Sequence, residues 1–392
     1  MTMATKTAIF QEYKTQYWNG SKQEKQAILT HICFVTQMHR KAAIRKFSTL
    51  QLFDPTIQHG RGRQRYYTPD VTVALKSIWK TASEICAELL HPAVAEYVSL
   101  LSRDHLWHHP KETTSKLLSM SEATMKRRIA GFVRENRPHH GLGTTNPSAL
   151  KLSIPIFTGP WEGKSPGYGQ IDTVAHCGSS VAGDYAFTLH YTDTATVWSV
   201  QHAQWNKGKE ATRESMKAIQ QKLPFSWLGA HPDTGSEFIN DWVITWCKKQ
   251  HIELTRSRPS HKNDNMYIEE RNGHIVRKFV GYARWDAPAS IAVLNELYAV
   301  LTLYTNHFVP VRKCLKKEKV GSRYIRRYDR AKTPYQRVME HSAVDIAVKR
   351  QLQSVHEAHN PYHLKQEIDR ITKKLYDIQK RHVLEKNLTP VR

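Results

Sequence analysis

The sequence is short of acid, of cysteine and of long apolar runs. Thirty-five Asp and Glu face 58 Lys and Arg, which leaves a formal charge of +23 at pH 7. Such an excess says nothing of fold. It selects a polyanionic partner, nucleic acid ahead of an anionic membrane surface. The five cysteines, Cys33, Cys86, Cys177, Cys247 and Cys314, are odd in number, widely spread and form no CxxC or CxxH pair. That argues against a disulfide framework and a structural zinc site, and fits reduced cytoplasmic thiols. No apolar run reaches the roughly 18 residues of a membrane helix. The opening residues, MTMATKTAIFQEY, lack the apolar centre of a signal peptide. A cytoplasmic, nucleoid-associated protein is expected.

What is present divides the 392 residues into several domains. After a short lead helix, residues 22–48 read as two helices separated by a break at Phe34-Val35-Thr36. The second turns Ala43, Ile44 and Phe47 inward and Arg40, Lys41, Arg45 and Lys46 outward. A helix-turn-helix with a basic second helix reads DNA; a structural helical pair with solvated lysines is the plainer alternative. Residues 54–68 form a basic linker in which Arg61, Arg63 and Arg65 alternate and can enter a minor groove. A second helix-turn-helix module spans 69–136. There Ser119-Met120-Ser121-Glu122 reads as a capping box, and the helix that follows presents Lys126, Arg127, Arg128 and Arg134. Residues 137–165 are rich in Pro, Gly, Ser and Thr and read as a linker.

From 166 to 288 the pattern is β-β-β-α-β-α-β-α, with strands near 168–177, 185–192, 195–203, 226–231 and 251–255. Asp172 falls inside the first strand, and Asp233 lies in a turn after the fourth. Glu269 sits on a helix whose apolar stripe is Ile268, Ile275, Phe279 and Tyr282. Thirty-five residues separate Asp233 from Glu269. Two Asp and one Glu on separate elements suit two hard divalent cations.

Asp172, Asp233 and Glu269 at this spacing, with Lys262-Asn263-Asp264-Asn265 leading into Ile268-Glu269, resemble the D,D(35)E core of bacterial insertion-sequence transposases. That core is retroviral-integrase-like and belongs to the ribonuclease-H-like superfamily. The likeness covers roughly 165–290 and, more weakly, 63–140. It implies a ribonuclease-H-like α/β core with a mixed five-stranded sheet. It also implies binding of the element's terminal inverted repeats and of target DNA, and 3′-end cleavage and strand transfer. Two Mg²⁺ ions, replaceable by Mn²⁺, would be held by Asp172, Asp233 and Glu269, with Asp172 bridging. A homodimer or higher oligomer on DNA is expected. Lys262, Asn263 and Asn265 would hold the DNA end.

Other carboxylates compete. Asp193 reads as turn chemistry, Glu237 as a first-turn helix residue, and Asp264 as the substitute should Glu269 fail. Tyr267, Arg271, His274 and Lys278 share the helix side opposite Glu269, where they touch DNA or face solvent. Gly273, mid-helix, suggests close approach of DNA or another helix. Residues 289–342 form a basic region with Arg323, Arg326 and Arg327 as phosphate contacts. A helical tail at 343–392 either dimerises or docks. The rivals to a transposase are a DNA-binding regulator with an inactive core and a cellular RNA–DNA hybrid nuclease.

Overall fold

A computed structural model describes residues 1–51, 66–133, 154–157, 161, 163–233, 235–258, 262–320 and 323–388. Arg61, Arg63 and Arg134 lie outside the described residues, as does most of the expected linker at 137–165. Contacts divide the chain into two compact units, Met1–Tyr66 and Tyr67–Arg392.

The first unit holds three helices, α1 (Met3–Asn19), α2 (Lys22–Thr36) and α3 (Arg40–Gln51). The lead segment is a docked helix, since Phe10 is fully buried against Phe47 in a core with Leu29, Ile32 and Ala43. Ser21 and Glu24 make the reciprocal bonds of a capping box that opens α2. The expected break at Phe34-Val35-Thr36 is absent. Thr36 is buried and bonds back to Ile32, so the helix runs on. The turn comes at Gln37, which takes a left-handed conformation, φ 56°.

The second unit opens with α4 (Pro69–Thr81), α5 (Ala87–Leu90), α6 (Val94–Arg103), α7 (Lys111–Leu118) and α8 (Glu122–Val133). Ser121, not Ser119, caps α8, accepting from the Thr124 amide at 3.4 Å; Ser119 instead donates to Lys116 at the end of α7. These helices share one apolar core with two later ones, α13 (Ser290–Phe308) and α16 (Pro361–Leu388). Tyr304 ties them together, its hydroxyl bonding Ser83 Oγ and the Thr81 carbonyl, each at 2.7 Å.

Between them lies a mixed α/β body. Its strands are β1 (Tyr168–Ala175), β2 (Phe187–Asp193), β3 (Ser199–Gln204), β4 (Gly229–His231) and β5 (Glu253–Leu254). Helices α9 (Lys209–Gln220) and α10 (Asp241–Lys249) connect the later strands. The sheet order is β3-β2-β1-β4-β5, with β1, β2 and β3 antiparallel and β1, β4 and β5 parallel. Alternation sorts the faces. Ile171, Leu189, Tyr191 and Val200 pack with Met216, Ile219, Val243 and Trp246 of α9 and α10. The opposite face carries Gln170, Asp172, Thr188, His190 and Gln201. It is covered by α13 and by α11 (Met266–Arg271), which continues through a π-helical turn at Asn272–Arg277 into α12 (Lys278–Val280). Gly169 of β1 is required by packing, because a Cβ there would stand 2.1 Å from the Tyr191 ring.

Beyond α13, β6 (Cys314–Val320) and β7 (Arg323–Tyr328) form a separate antiparallel ribbon, followed by α14 (Pro334–Glu340), α15 (Ile346–Ala358) and α16. The tail helix docks within its own chain: Ile368, Ile371 and Leu375 are buried, and Tyr376 packs edge-on against Trp285. Among the described residues no helix is long and apolar enough to cross a membrane.

Candidate functional site

Parallel pairing of β1 with β4 matches Gln170 to His231. Asp172 lies two residues further along β1, and Asp233 two residues further on in the turn after β4, near enough for its charge to act on Asp172. Asp172 keeps a partial opening to solvent. The protein around its carboxylate nonetheless displaces enough water, helped by the Asp233 and Glu237 charges, to push the group up to about 7. Burial raises Asp233 as well, with Glu237 adding to the shift. The Asp233 carboxylate is held by its own turn, Oδ1 accepting from the Gly235 amide at 2.8 Å.

Glu237 belongs to this group. It was expected in the first turn of a helix, but Gly235–Asn240 forms a turn and Asn240 caps α10, which begins at Asp241. The Glu237 side chain is buried and pairs with Lys207 Nζ at 3.2 Å. A Cβ at Gly235 would stand 2.6 Å from Glu237 Oε2 and 2.9 Å from Asp233 Oδ1, so the two carboxylates flank that glycine. The only sequence signal was a Glu four residues after Asp233.

Helix α11 is bolted across the same sheet face. Gln170 Oε1 accepts from the Tyr267 and Ile268 amides, each at 3.0 Å, and its Nε2 donates to the Asp264 carbonyl. One turn further on, Asn272 Nδ2 donates to Asp172 Oδ2 at 2.7 Å. Asn272 Oδ1 bonds His190 Nδ1 at 2.7 Å, and His190 Nε2 bonds Gln201 Nε2 at 2.9 Å. An amide oxygen and an amide nitrogen on either side fix the neutral tautomer with the proton on Nδ1. Burial agrees, pushing His190 down to about 3. Glu269 lies on α11 between the two anchor points, three residues before Asn272, with its side chain exposed. Among the described residues no three His, Cys, Asp or Glu side chains close into a ready-made metal site. The structure therefore brings Asp172, Asp233 and Glu237 together and sets Glu269 on the helix that grips Asp172.

The competing carboxylates are occupied. Asp193 accepts from the Gly167 amide and from the amide and hydroxyl of Thr196, each at 2.7 Å, as its place at the strand end predicts. Asp264 is buried and bonded to the Arg258 backbone and guanidinium, so it is not available as a substitute for Glu269.

The expected DNA contacts fare unevenly. Arg40, Lys41 and Arg45 are exposed on α3, and Arg127 is exposed on α8. Lys126 is paired with Glu88, and Arg128 is bonded to Thr72 and, at 3.0 Å, to the Tyr67 carbonyl. Arg271 is 3% exposed, with Nε 3.3 Å from Ser199 Oγ, and burial pushes it down to about 10; it does not reach the surface. The helix ends at Val280, where Gly281 takes φ 78°, so Tyr282 lies beyond it and is exposed, and Val276 and Val280 are buried instead. Asn265 is buried beside Ser257 and is scaffold. Lys262 and Asn263 lie in the single 3₁₀ turn before α11. Lys278 is exposed and lines a cleft of 620 Å³ with Lys80, Glu84 and Lys365. Gly273 has nothing within 4 Å of where a Cβ would stand, so among the described residues no other helix approaches it. Arg323, Arg326 and Arg327 are exposed on β7.

Over 329 residues the chain is 33% identical to an uncharacterized protein, y4rM, of Sinorhizobium fredii; the match covers 84% of this chain and 93% of that protein. The chain belongs to that protein's family. No family model matches it. Family membership assigns no chemistry, which must be argued from the carboxylates.

Proposed function

We propose that the chain is a DNA transposase with a ribonuclease-H-like core, which binds the ends of its element and carries out 3′-end cleavage and strand transfer. The observation that supports this most is the pairing of β1 with β4, which carries Asp172 on β1 alongside the turn after β4 that holds Asp233. The order β-β-β-α-β-α-β-α around a mixed sheet, and Glu269 on a helix clamped across Asp172, support the same reading. Two partly desolvated aspartates, both pushed up by burial and by neighbouring carboxylate charge, are an oxygen donor set for a hard divalent cation. Asp172, Asp233 and Glu269 would hold two Mg²⁺ ions. Bound there, the ions would supply activation of the attacking oxygen and stabilisation of the departing one. Asn272, fixed by His190 and Gln201, keeps the Asp172 carboxylate in one orientation. Lys207 holds Glu237 in place behind Asp233. The net charge and the exposed arginines of α3, α8 and β7 supply phosphate contact.

The test is the full chain with DNA carrying the sequences that flank its reading frame, in Mg²⁺ and in Mn²⁺. Nicks at the element ends and joined products are expected. D172N, D233N and E269Q should each abolish both while binding persists. Cleavage that survives all three substitutions refutes the triad. Binding without cleavage by the wild-type chain in either metal favours the DNA-binding regulator.

A further inference from the structure

The β6–β7 ribbon stands apart from the sheet and carries six Lys and Arg against Glu318 alone. Its stem is firmly built. Val311 and Lys332 exchange backbone bonds at 2.9 and 3.1 Å, and Asp329 Oδ1 accepts from the Lys313 amide at 2.7 Å. Arg337 pairs with Asp329 at 2.6 Å and donates to the Val311 carbonyl at 3.0 Å. Lys313 Nζ reaches the Thr194 and Ala195 carbonyls, at 2.8 and 2.9 Å, in the turn between β2 and β3. The stem is thereby fixed to the body that carries Asp172.

Beyond the stem the ribbon is built unlike a free-standing hairpin. Its register sets Lys316 opposite Arg327, with Glu318, which pairs with Lys316, as the ribbon's lone acid. Like charges directly across an antiparallel pair destabilise it, and an anion lying along the ribbon removes that cost. Leu315 is 62% exposed and Ile325 49%, set among the cations. Among the described residues the ribbon pairs with no third strand. The roughly 12 Å major groove of B-form DNA admits a two-stranded ribbon without deformation, whereas the roughly 6 Å minor groove must be widened to take one, and apolar side chains in the major groove meet thymine methyl groups.

We propose that the β6–β7 ribbon enters the major groove of double-stranded DNA, with Arg323, Arg326 and Arg327 on phosphates at the groove's edges. The inference rests on the reading of the chain as a DNA-binding protein. It is tested with the full chain and two duplexes of one sequence, one unmodified and one with glucosylated hydroxymethylcytosine, whose sugar fills the major groove. Affinity is read by fluorescence anisotropy between 50 and 200 mM salt. The wild-type chain should bind the glucosylated duplex at least about tenfold more weakly. The triple variant R323A/R326A/R327A should lose most of that discrimination. Its salt slope should fall by about 2 to 3, at roughly 0.9 per phosphate contact. All three residues are exposed, and an unchanged melting curve shows that the variant is folded. Equal binding of the two duplexes by wild type overturns the ribbon proposal alone, as does a variant that discriminates as strongly as wild type. Failure of the wild-type chain to bind either duplex overturns the DNA reading and the ribbon with it.

Discussion

Replacing Asp172 by Asn should stabilise the protein at neutral and alkaline pH, and the gain should vanish in acid. The folded-state value of about 7 stands above the usual 3.8. A raised carboxyl leaves the folded state holding a proton that the unfolded chain has released. Stability from this group is therefore fully present below about 3.8, falls as pH rises, and is lost once pH passes about 7. Three units at 1.36 kcal/mol each set a ceiling of about 4 kcal/mol. Asp172 is partly exposed, and solvent screening reduces the figure. Between pH 5 and pH 8 the advantage of D172N over wild type should grow by about 1 to 3 kcal/mol, or roughly 2 to 4 °C in Tm for a unit of this size. The change with pH is the quantity to read, because any constant loss from the bonds to Asn272 and the Thr173 amide cancels between the two conditions. Thermal melts by circular dichroism at both pH values measure it. Adding 10 mM MgCl₂ at pH 8 should then raise the Tm of wild type more than that of D172N, since only the carboxylate binds the ion strongly. A D172N advantage that does not change between pH 5 and pH 8 refutes the claim that Asp172 is held against the charges of Asp233 and Glu237.

Three further outcomes are expected. N272A leaves the buried His190 Nδ1–H without an acceptor and Asp172 Oδ2 without the Asn272 donor, so stability should fall by about 1 to 3 kcal/mol in urea unfolding. End cleavage should fall with it, and full activity in N272A would show that Asp172 needs no such hold. Among the described residues, nothing outside its own helix backbone lies within 4 Å of the methyl that G273A adds. The substitution should stabilise the protein by about 0.5 to 1 kcal/mol and weaken DNA binding if a phosphate passes close to that backbone; tighter or unchanged binding would place the DNA elsewhere. I371A empties a fully buried site between α16 and α13 and should cost about 2 to 5 kcal/mol. If sedimentation of the destabilised variant shows the same mass as wild type, that face of the tail serves the fold and not an oligomer.

The sheet was legible because its signals are local. Alternation across 168–204 and the turn at Asp193 specify the three antiparallel strands, and the two aspartates on β1 and after β4 could be read from pattern and position. What escaped the sequence depends on the third dimension. Residues 236–250 read as one helical run, which puts Glu237 in its first turn, whereas Asn240 resets the start of α10 and leaves Glu237 in a turn beside Asp233. Ideal helical spacing places Arg271 outward, but its guanidinium is buried against Ser199 of β3. The same spacing puts Tyr282 on the buried stripe, but the left-handed Gly281 ends the helix before it. Asn272 and His190 meet only because α11 crosses β2. Their separation of 82 residues gives no periodic signal. The basic stretch after α13 was recognised by charge. That it forms a ribbon was hidden by the Lys and Arg density, which favours no particular secondary structure.

The most direct test is anomalous diffraction from crystals of the full chain grown with Mn²⁺. Density in contact with the carboxylates of Asp172 and Asp233, with Glu269 turned in to complete the ligand set, is the predicted result. Crystals in which Mn²⁺ binds at other sites while Asp172 and Asp233 carry none, or in which Glu269 takes no part, contradict a catalytic centre built on these three residues.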